Sequence, residues 1–219
     1  VVTWMLFWMR RQASSVRGDL QAAIERVLII SIDGLRPDAM LMVPMPNLTA
    51  LMQSGAVTLN AQTIHPSATL PAHASMLTGL CPDQHGVNWN DYIPENGYAQ
   101  GTSIFAQAKQ AGLYTVMVVN KEKLRQVTPP ETTDVFLYIN DRDTVIAEQA
   151  APILEKGFDL AFVHFATTDA MGHVHGWLSP EQLTAVLGPN HRLARTEADL
   201  VRGWAAASAG SVAARAPPA

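Results

Sequence analysis

The sequence contains a single cysteine, Cys81, which excludes an intrachain disulfide framework and says little about the compartment. It also lacks an excess of basic residues. The 15 Lys and Arg residues against 19 Asp and Glu give a net charge of −4, which argues against nucleic-acid binding through a basic face. The sequence has no internal repeat, and beyond its first residues no segment approaches transmembrane length. The 48% of apolar residues and the length of 219 instead indicate one globular α/β domain.

Residues 1–25 are interpreted as a poorly defined N-terminal extension. Residues 1–9 are apolar, and Arg10 and Arg11 follow them, whereas a secretory signal carries its positive charge before the apolar run. Nine residues are also too few to cross a bilayer. The segment is therefore expected to be a mis-assigned start or a loose extension, with a membrane-associated or export role as the alternative. Without a convincing signal peptide, a cytoplasmic location is slightly favoured over a membrane one.

Apolar runs alternate with helical patterns along residues 26–187. Strands are predicted at residues 26–32, 56–64, 113–119, 134–139 and 158–165, and helices at residues 46–52, 70–78, 103–111, 141–155 and 181–187. Continuous β-branched runs suit a sheet that is covered on both faces, and the alternation indicates βαβ units. The fold class is therefore α/β, with a mostly parallel sheet flanked by helices. Residues 188–219 are rich in alanine and are interpreted as a low-complexity or frame-shifted tail.

Two aspartates lie just past buried strands of this predicted sheet. Asp33 follows the first strand and Asp169 follows the last. Functional residues gather at the carboxyl ends of parallel strands, which is a physical reason to pair the two. Gly34 permits close approach of the backbone beside Asp33, as suits a metal ligand. The alternative is a loop aspartate that caps the next turn, a role to which Asp38 has a good claim.

Thr69 lies at the predicted start of the helix at residues 70–78. A threonine hydroxyl is a poor nucleophile unless a metal or a base lowers its pKa, and the helix dipole would favour its ionised form. The alternative is an ordinary N-cap threonine, and the two roles are compatible. His65, His73 and His85 flank the region and are interpreted as supporting or structural residues rather than ligands.

Two further groups complete the set of candidate residues. Asn90 carries an amide that can donate to a phosphoryl oxygen, with Asn88 as a rival and a turn as the alternative role. Asp169 and His173 are four residues apart, so that on a helical turn both face the same side and can chelate one metal ion. His175 is a candidate ligand or phosphate contact, with solvent exposure as its alternative.

Three stretches carry these residues in a specific order and spacing. They are SIDGLRPD at residues 31–38, PSATLPAH at residues 66–73 with LTGLCPDQHGV at residues 77–87, and TDAMGHVHG at residues 168–176. Together they resemble the type I phosphodiesterase/nucleotide pyrophosphatase family of the alkaline phosphatase superfamily, over residues 26–180. The resemblance implies an alkaline-phosphatase-like core and two divalent metal ions, usually zinc.

The resemblance also implies a role for each candidate residue. Asp33 would hold the first metal, Thr69 would bridge the metals as nucleophile, and Asp169 and His173 would hold the second. Asn90 would bind a phosphoryl oxygen together with the backbone N–H of Thr69. The implied reaction is attack by Thr69 on a phosphodiester or pyrophosphate bond of a small-molecule substrate such as a nucleotide, followed by hydrolysis of a phosphothreonine.

The sequence departs from the family pattern after His175. The pattern continues with an Asp-His-Gly segment and a later histidine that complete the metal ligands, whereas His191 has no such pair beside it. The chain is therefore expected to be the amino-terminal part of such an enzyme, and an inactive fragment or pseudoenzyme is the alternative. A phosphomonoesterase or phosphonate hydrolase stays open, while a sulfatase is disfavoured because the Cys/Ser-x-Pro-x-Arg motif is missing. The substrate and the oligomeric state are not determined.

Overall fold

The computed structural model describes residues 4–12 and 23–187 of the chain. Within them the strands are β1 Trp4–Gln12, β2 Ala23–Ile32, β3 Thr115–Val119, β4 Val135–Tyr138 and β5 Leu160–Phe165. The helices are α1 Pro37–Met42, α2 Pro46–Ser54, α3 Thr69–Thr78, α4 Pro82–His85, α5 Ile104–Gln110, α6 Asp143–Glu155, α7 Thr167–His175 and α8 Pro180–Leu187. Short 3₁₀ segments lie at Pro94–Asn96, Glu122–Val127 and Pro130–Thr132.

The strands form one sheet in the order β1-β2-β5-β3-β4. Strands β2, β5, β3 and β4 are parallel, which confirms the predicted mostly parallel sheet. β1 pairs antiparallel with β2 at one edge, so the segment that the sequence suggests is a loose extension contains an edge strand. β5 lies between β2 and β3, although it is the last of the described strands in chain order. This order places the ends of β2, β5 and β3 side by side.

The core has two apolar layers, one on each face of the sheet. On one face, side chains of β2, β3 and β5 pack against α6 and α8 through Ile146, Leu154 and Val186. On the other face, Ile29, Met117 and Phe162 pack against α3 and α5. Because both faces are covered, strands β3 and β5 are buried along their whole length, as their continuous apolar sequences predict.

One predicted strand is wrong. Residues 56–64 contain neither strand nor helix, and most of their side chains are exposed, including Val57 and Leu59. Their alternating apolar pattern resembles a strand locally, but a strand needs a neighbour for its backbone hydrogen bonds. In the described part of the sheet, the positions beside β2, β5 and β3 are already taken.

The other predicted helices and strands are present with shifts of a few residues at their ends. Gly79 ends α3 and adopts a left-handed conformation with φ of 71°. No helix in the described ranges has the length and apolar character needed to cross a membrane. The predicted tail at residues 188–219, with His191, lies outside the described residues.

Candidate active site

Polar side chains lie close to the carboxyl ends of three neighbouring strands, β2, β5 and β3. Asp33 directly follows β2, and Asp169 lies in α7, which begins two residues after β5. The backbone N–H of Asp33 donates to the carbonyl of Phe165 at 2.8 Å, which ties the ends of β2 and β5 together. Lys121 follows β3 on the other side of β5. The two aspartates that the sequence pairs by their strand-end positions therefore do lie at one site.

Gly34 sets how closely the two aspartates approach. Its φ is +74°, and a Cβ added to it would lie 2.6 Å from the Cα of Asp169. Real Cβ atoms do not come so close to backbone, so any other residue here would push α7 away from the end of β2. The close approach expected of Gly34 from the sequence is therefore directed at Asp169.

Thr69 is the first residue of α3, and its N-cap is Ala68, so Thr69 does not take the N-cap role. Its hydroxyl Oγ1 instead donates to Asp33 Oδ2 at 2.9 Å. Thr69 is nearly buried, and the backbone around it is held by His73, whose Nδ1 hydrogen bonds to the Thr69 carbonyl at 2.7 Å. The hydroxyl thus points out of the helix toward the acidic side of the site.

Asn90 lies beside the start of α3. Asn88 and Asn90 are both exposed, and it is Asn90 whose Oδ1 accepts a hydrogen bond from the backbone N–H of Leu70 at 3.0 Å. Because the carbonyl end of the Asn90 amide is used in this bond, its Nδ2 group is the end left to donate. The structure thus brings Asn90, rather than Asn88, to the nucleophile candidate.

Asp169 and His173 occupy one face of α7, as their spacing predicts. The imidazole Nε2 of His173 lies 3.5 Å from Asp169 Oδ1, and the His173 side chain is 64% exposed. His175 is exposed, which agrees with its alternative role. Asp169 Oδ1 is buried and has no hydrogen-bond partner among the described residues. This oxygen is an acceptor that the folded chain leaves available.

Lys121 is a central residue that the sequence reasoning missed. Its Nζ donates to Asp33 Oδ2 at 2.6 Å, to Asp169 Oδ2 at 2.6 Å and to Thr69 Oγ1 at 3.1 Å. Burial lowers the pKa of Lys121, but the charge of Asp33 and the hydrogen bonds to both carboxylates outweigh burial and raise it overall. The strand-end argument that singled out Asp33 and Asp169 applies equally to the residues after the strand predicted at 113–119, and it would have found Lys121.

A buried polar chain behind Asp33 was also missed. Asp143 accepts hydrogen bonds from Asn120 Nδ2 at 2.8 Å and from the backbone N–H of Ala166 at 3.0 Å. Asn120 Oδ1 in turn contacts His164 Nδ1 at 2.9 Å, and His164 Nε2 lies 3.7 Å from Asp33 Oδ2. This chain fixes the orientation of the His164 ring, which faces Asp33.

The pKa values of Asp143 and Asp33 are shifted in opposite directions. Burial raises the pKa of Asp143, because its hydrogen bonds only partly offset the loss of solvent. Burial also acts to raise the pKa of Asp33, but the His164 imidazole 3.7 Å away, together with the charge of Lys121, holds it well below its usual range. Asp33 is therefore ionised at neutral pH, as a cation ligand has to be.

The flanking histidines have the structural contacts that the sequence suggests. His73 is buried and contacts Ser31 Oγ through Nε2 at 2.8 Å, and His85 Nε2 contacts Ser75 Oγ at 2.9 Å. His65 is exposed. His73 and His85 therefore connect α3 with β2 and with the loop after α4.

His73 gives a testable dependence of stability on pH. Burial, and next the charge of His164, lower the pKa of His73 from 6.5 to about 4. The His73 imidazole binds a proton more readily in the unfolded chain than in the folded chain. Its contribution to the free energy of unfolding is therefore fully present above the pKa of the unfolded state and is lost as the pH falls toward the pKa of the folded state. Between about pH 7.5 and about pH 4 this group is expected to lower the free energy of unfolding by about 3 kcal/mol.

Urea denaturation across this pH range measures the effect, with His73→Gln as the comparison. Glutamine keeps a donor and an acceptor but does not titrate, so the variant is expected to show a flatter dependence on pH. Parallel curves for the two proteins would show that His73 contributes nothing to the dependence.

The donor set at this site fits divalent cations. Asp33 and Asp169 supply two carboxylates, with Thr69 Oγ1 beside the first and the His173 imidazole beside the second. Asp169 Oδ1 accepts no hydrogen bond, and Lys121 supplies one positive charge to two buried carboxylates. The site therefore has an unused acceptor and an excess of negative charge that a cation would offset. The described residues contain no group of three or more His, Cys, Asp or Glu side chains placed to hold a metal ion, and Lys121 lies between the two carboxylates.

The amino-acid sequence is similar to one known protein family and to individual members of it. Residues 27–202 match the model of the type I phosphodiesterase/nucleotide pyrophosphatase family. An uncharacterized pyrophosphatase/phosphodiesterase of Schizosaccharomyces pombe is 35% identical over 181 residues, which cover 71% of this chain and 36% of that protein. Ectonucleotide pyrophosphatase/phosphodiesterase family member 5 of Homo sapiens is 33% identical over 72 residues, which cover 33% of this chain and 15% of that protein.

Solved structures show the same fold. An inactive threonine-to-alanine variant of murine ectonucleotide pyrophosphatase/phosphodiesterase 5, in complex with AMP, superposes with a TM-score of 0.63 at 20% identity. The superposition covers 82% of this chain and 54% of that chain. The present chain therefore spans about half the length of this structure, and a smaller share of the curated relatives.

Proposed function

Because the chain belongs to the type I phosphodiesterase/nucleotide pyrophosphatase family, we propose that it hydrolyses phosphodiester or pyrophosphate bonds of a small nucleotide-like substrate. The proposed nucleophile is Thr69, and the proposed cofactors are two divalent metal ions, with zinc as the first candidate. Asp33 would hold one ion, Asp169 and His173 would hold the other, and Thr69 would be shared by both. The fold and the family membership support this proposal, and the proposal itself concerns the reaction that this chain catalyses.

One observation carries the proposal. The Thr69 hydroxyl lies at the first turn of α3, 2.9 Å from a fully buried carboxylate, with the Asn90 amide held at the next residue of the same helix. An oriented hydroxyl, a hydrogen-bond donor and an acidic pair within one site are the parts that phosphoryl transfer to a side chain requires. The residues come from four separate segments of the chain.

Asp33 positions the hydroxyl rather than deprotonating it. A carboxylate whose pKa lies well below the usual range is a weak base, so it accepts the Thr69 hydrogen bond without taking the proton at neutral pH. The N-terminal end of α3 favours negative charge on Thr69 Oγ1 when its proton passes to a solvent water molecule. Bound divalent ions would lower the pKa of the hydroxyl and offset the negative charge of the phosphoryl group.

Asn90 supplies a fixed donor for the phosphoryl group. Since Leu70 N–H holds its Oδ1, the Asn90 Nδ2 group is oriented before any substrate arrives. A donor that needs no reorganisation stabilises the charge that develops on a phosphoryl oxygen. This arrangement supports the role that the family resemblance gives to Asn90.

The names of the relatives support a nucleotide substrate. The murine structure is a complex with AMP of an inactive variant in which alanine replaces a threonine, and the human relative is an ectonucleotide pyrophosphatase/phosphodiesterase family member. Because the chain spans only part of these proteins, the leaving group and the base that it prefers are not specified by the likeness. We therefore assign the class of bond and not one substrate.

The test is hydrolysis of nitrophenyl esters by the purified 219-residue chain. After treatment with EDTA and removal of the chelator, the chain is assayed with and without zinc on the nitrophenyl ester of thymidine monophosphate, on bis(nitrophenyl) phosphate and on nitrophenyl phosphate. Zinc-dependent release of nitrophenolate from the two diesters is expected. Faster cleavage of the monoester would favour a phosphomonoesterase, and zinc binding without any turnover would favour a non-catalytic member of the family.

A further inference from the structure

Lys121 occupies the centre of the proposed metal site. Its ammonium group uses three hydrogen-bond donors on three atoms, namely one carboxylate oxygen each of Asp33 and Asp169 and the hydroxyl oxygen of Thr69. Asp33 belongs to one proposed metal position and Asp169 to the other, and Thr69 is shared by both. The ammonium therefore bridges both positions.

The two carboxylates need a cation to be held where they are. The Asp33 side chain is fully buried and that of Asp169 is 6% exposed, so neither charge is solvated by water. Two such carboxylates that share one site repel each other, and a buried charge without a partner is strongly unfavourable. Lys121 meets both at 2.6 Å and supplies one positive charge against two negative ones.

Metal binding and the observed position of Lys121 compete for the same two carboxylates. A zinc ion lies about 2.0–2.2 Å from a carboxylate oxygen, and one oxygen of each carboxylate now accepts a hydrogen bond from the ammonium. Lys121 has a route away from the site, because its side chain is 19% exposed and sits on four flexible carbons. It can leave the carboxylates without a movement of the sheet.

From these contacts we infer that Lys121 is an exchangeable counter-ion, which keeps the carboxylates together in the metal-free protein and competes with divalent cations for them. The inference rests on the proposed metal-dependent function. In the metal-free protein Lys121 stabilises the fold at the site. On metal binding it yields both carboxylates and turns its ammonium toward solvent.

The test uses Lys121→Met, with Lys123→Met as the matched control. Methionine has a similar length without the charge, and Lys123 is a half-buried lysine two residues further along the same segment. Zinc affinity is measured by competition with a chromophoric chelator, and the melting temperature is measured in EDTA. For Lys121→Met we expect zinc affinity to rise by about tenfold or more and the metal-free melting temperature to fall by about 5 °C or more. Lys123→Met is expected to change each far less.

Lys121→Arg protects the test against a failure of the methionine variant to fold. Arginine keeps the charge and can grip carboxylates with a planar fork, so this variant is expected to fold and to bind zinc several-fold more weakly than the unaltered chain. Zinc affinities that are equal in all variants would overturn the inference while leaving the metal site intact. If neither the unaltered chain nor any variant binds zinc, the proposed metal-dependent function is refuted, and so is the proposed competition between Lys121 and metal ions.

Discussion

Replacing Thr69 with alanine is expected to reduce zinc-dependent hydrolysis of a nitrophenyl diester by at least about 10³-fold, because the variant lacks the hydroxyl proposed to attack phosphorus. The structure places Thr69 Oγ1 at 2.9 Å from Asp33 Oδ2 and at the start of α3, so its removal deletes the oriented nucleophile. One hydrogen bond to Asp33 is lost, and Lys121 and the His164 ring stay beside that carboxylate. The measurement is kcat/KM at saturating zinc.

Two variants separate loss of the nucleophile from damage to the helix. Thr69→Ser keeps a hydroxyl on the same carbon and is expected to retain activity within about tenfold. Thr78→Ala removes a hydroxyl at the other end of α3, where Oγ1 donates to the Ala74 carbonyl at 2.7 Å, and is expected to leave the rate almost unchanged. Hydrolysis that persists in Thr69→Ala would remove Thr69 as the nucleophile.

Replacing Phe162 with alanine is expected to lower the free energy of unfolding by about 3–5 kcal/mol, the range for removing a fully buried aromatic ring. Phe162 lies in β5 between Ile29 of β2 and Met117 of β3, and it is inaccessible to solvent. Its ring also meets the His73 ring edge-on with 5.9 Å between centroids. The cavity would therefore lie directly under the helix that carries Thr69.

Phe136→Ala is the matched control for this prediction. Phe136 belongs to β4 at the edge of the sheet, is half-buried, and has the Arg125 guanidinium 4.8 Å above its ring. Because less apolar surface leaves water there, a cost of about 1–2 kcal/mol is expected. Urea denaturation with an unchanged slope measures both values. Equal losses would contradict the assignment of β5 as the centre of the core.

The sequence identifies the two site aspartates by their positions just after predicted strands. The apolar runs at β2 and β5 are long enough to identify as buried strands, and Asp33 and Asp169 follow them in the chain. In a parallel sheet these ends share one edge, so the pairing of the aspartates follows from the pattern. The three stretches at residues 31–38, 66–87 and 168–176 then suffice for the family, which the match over residues 27–202 confirms. The roles of individual residues in catalysis stay predictions.

Local periodicity, glycines and strand ends are therefore enough to predict the α/β class, most strands and helices, and the residue types of the site. The absence of a strand at residues 56–64 and the position of Lys121 between the carboxylates depend on long-range packing. The contacts of Lys121 span 88 residues to Asp33 and 48 to Asp169. Such contacts exist because β5, a late strand in the chain, inserts between β2 and β3, and local sequence periodicity does not specify which strands become neighbours.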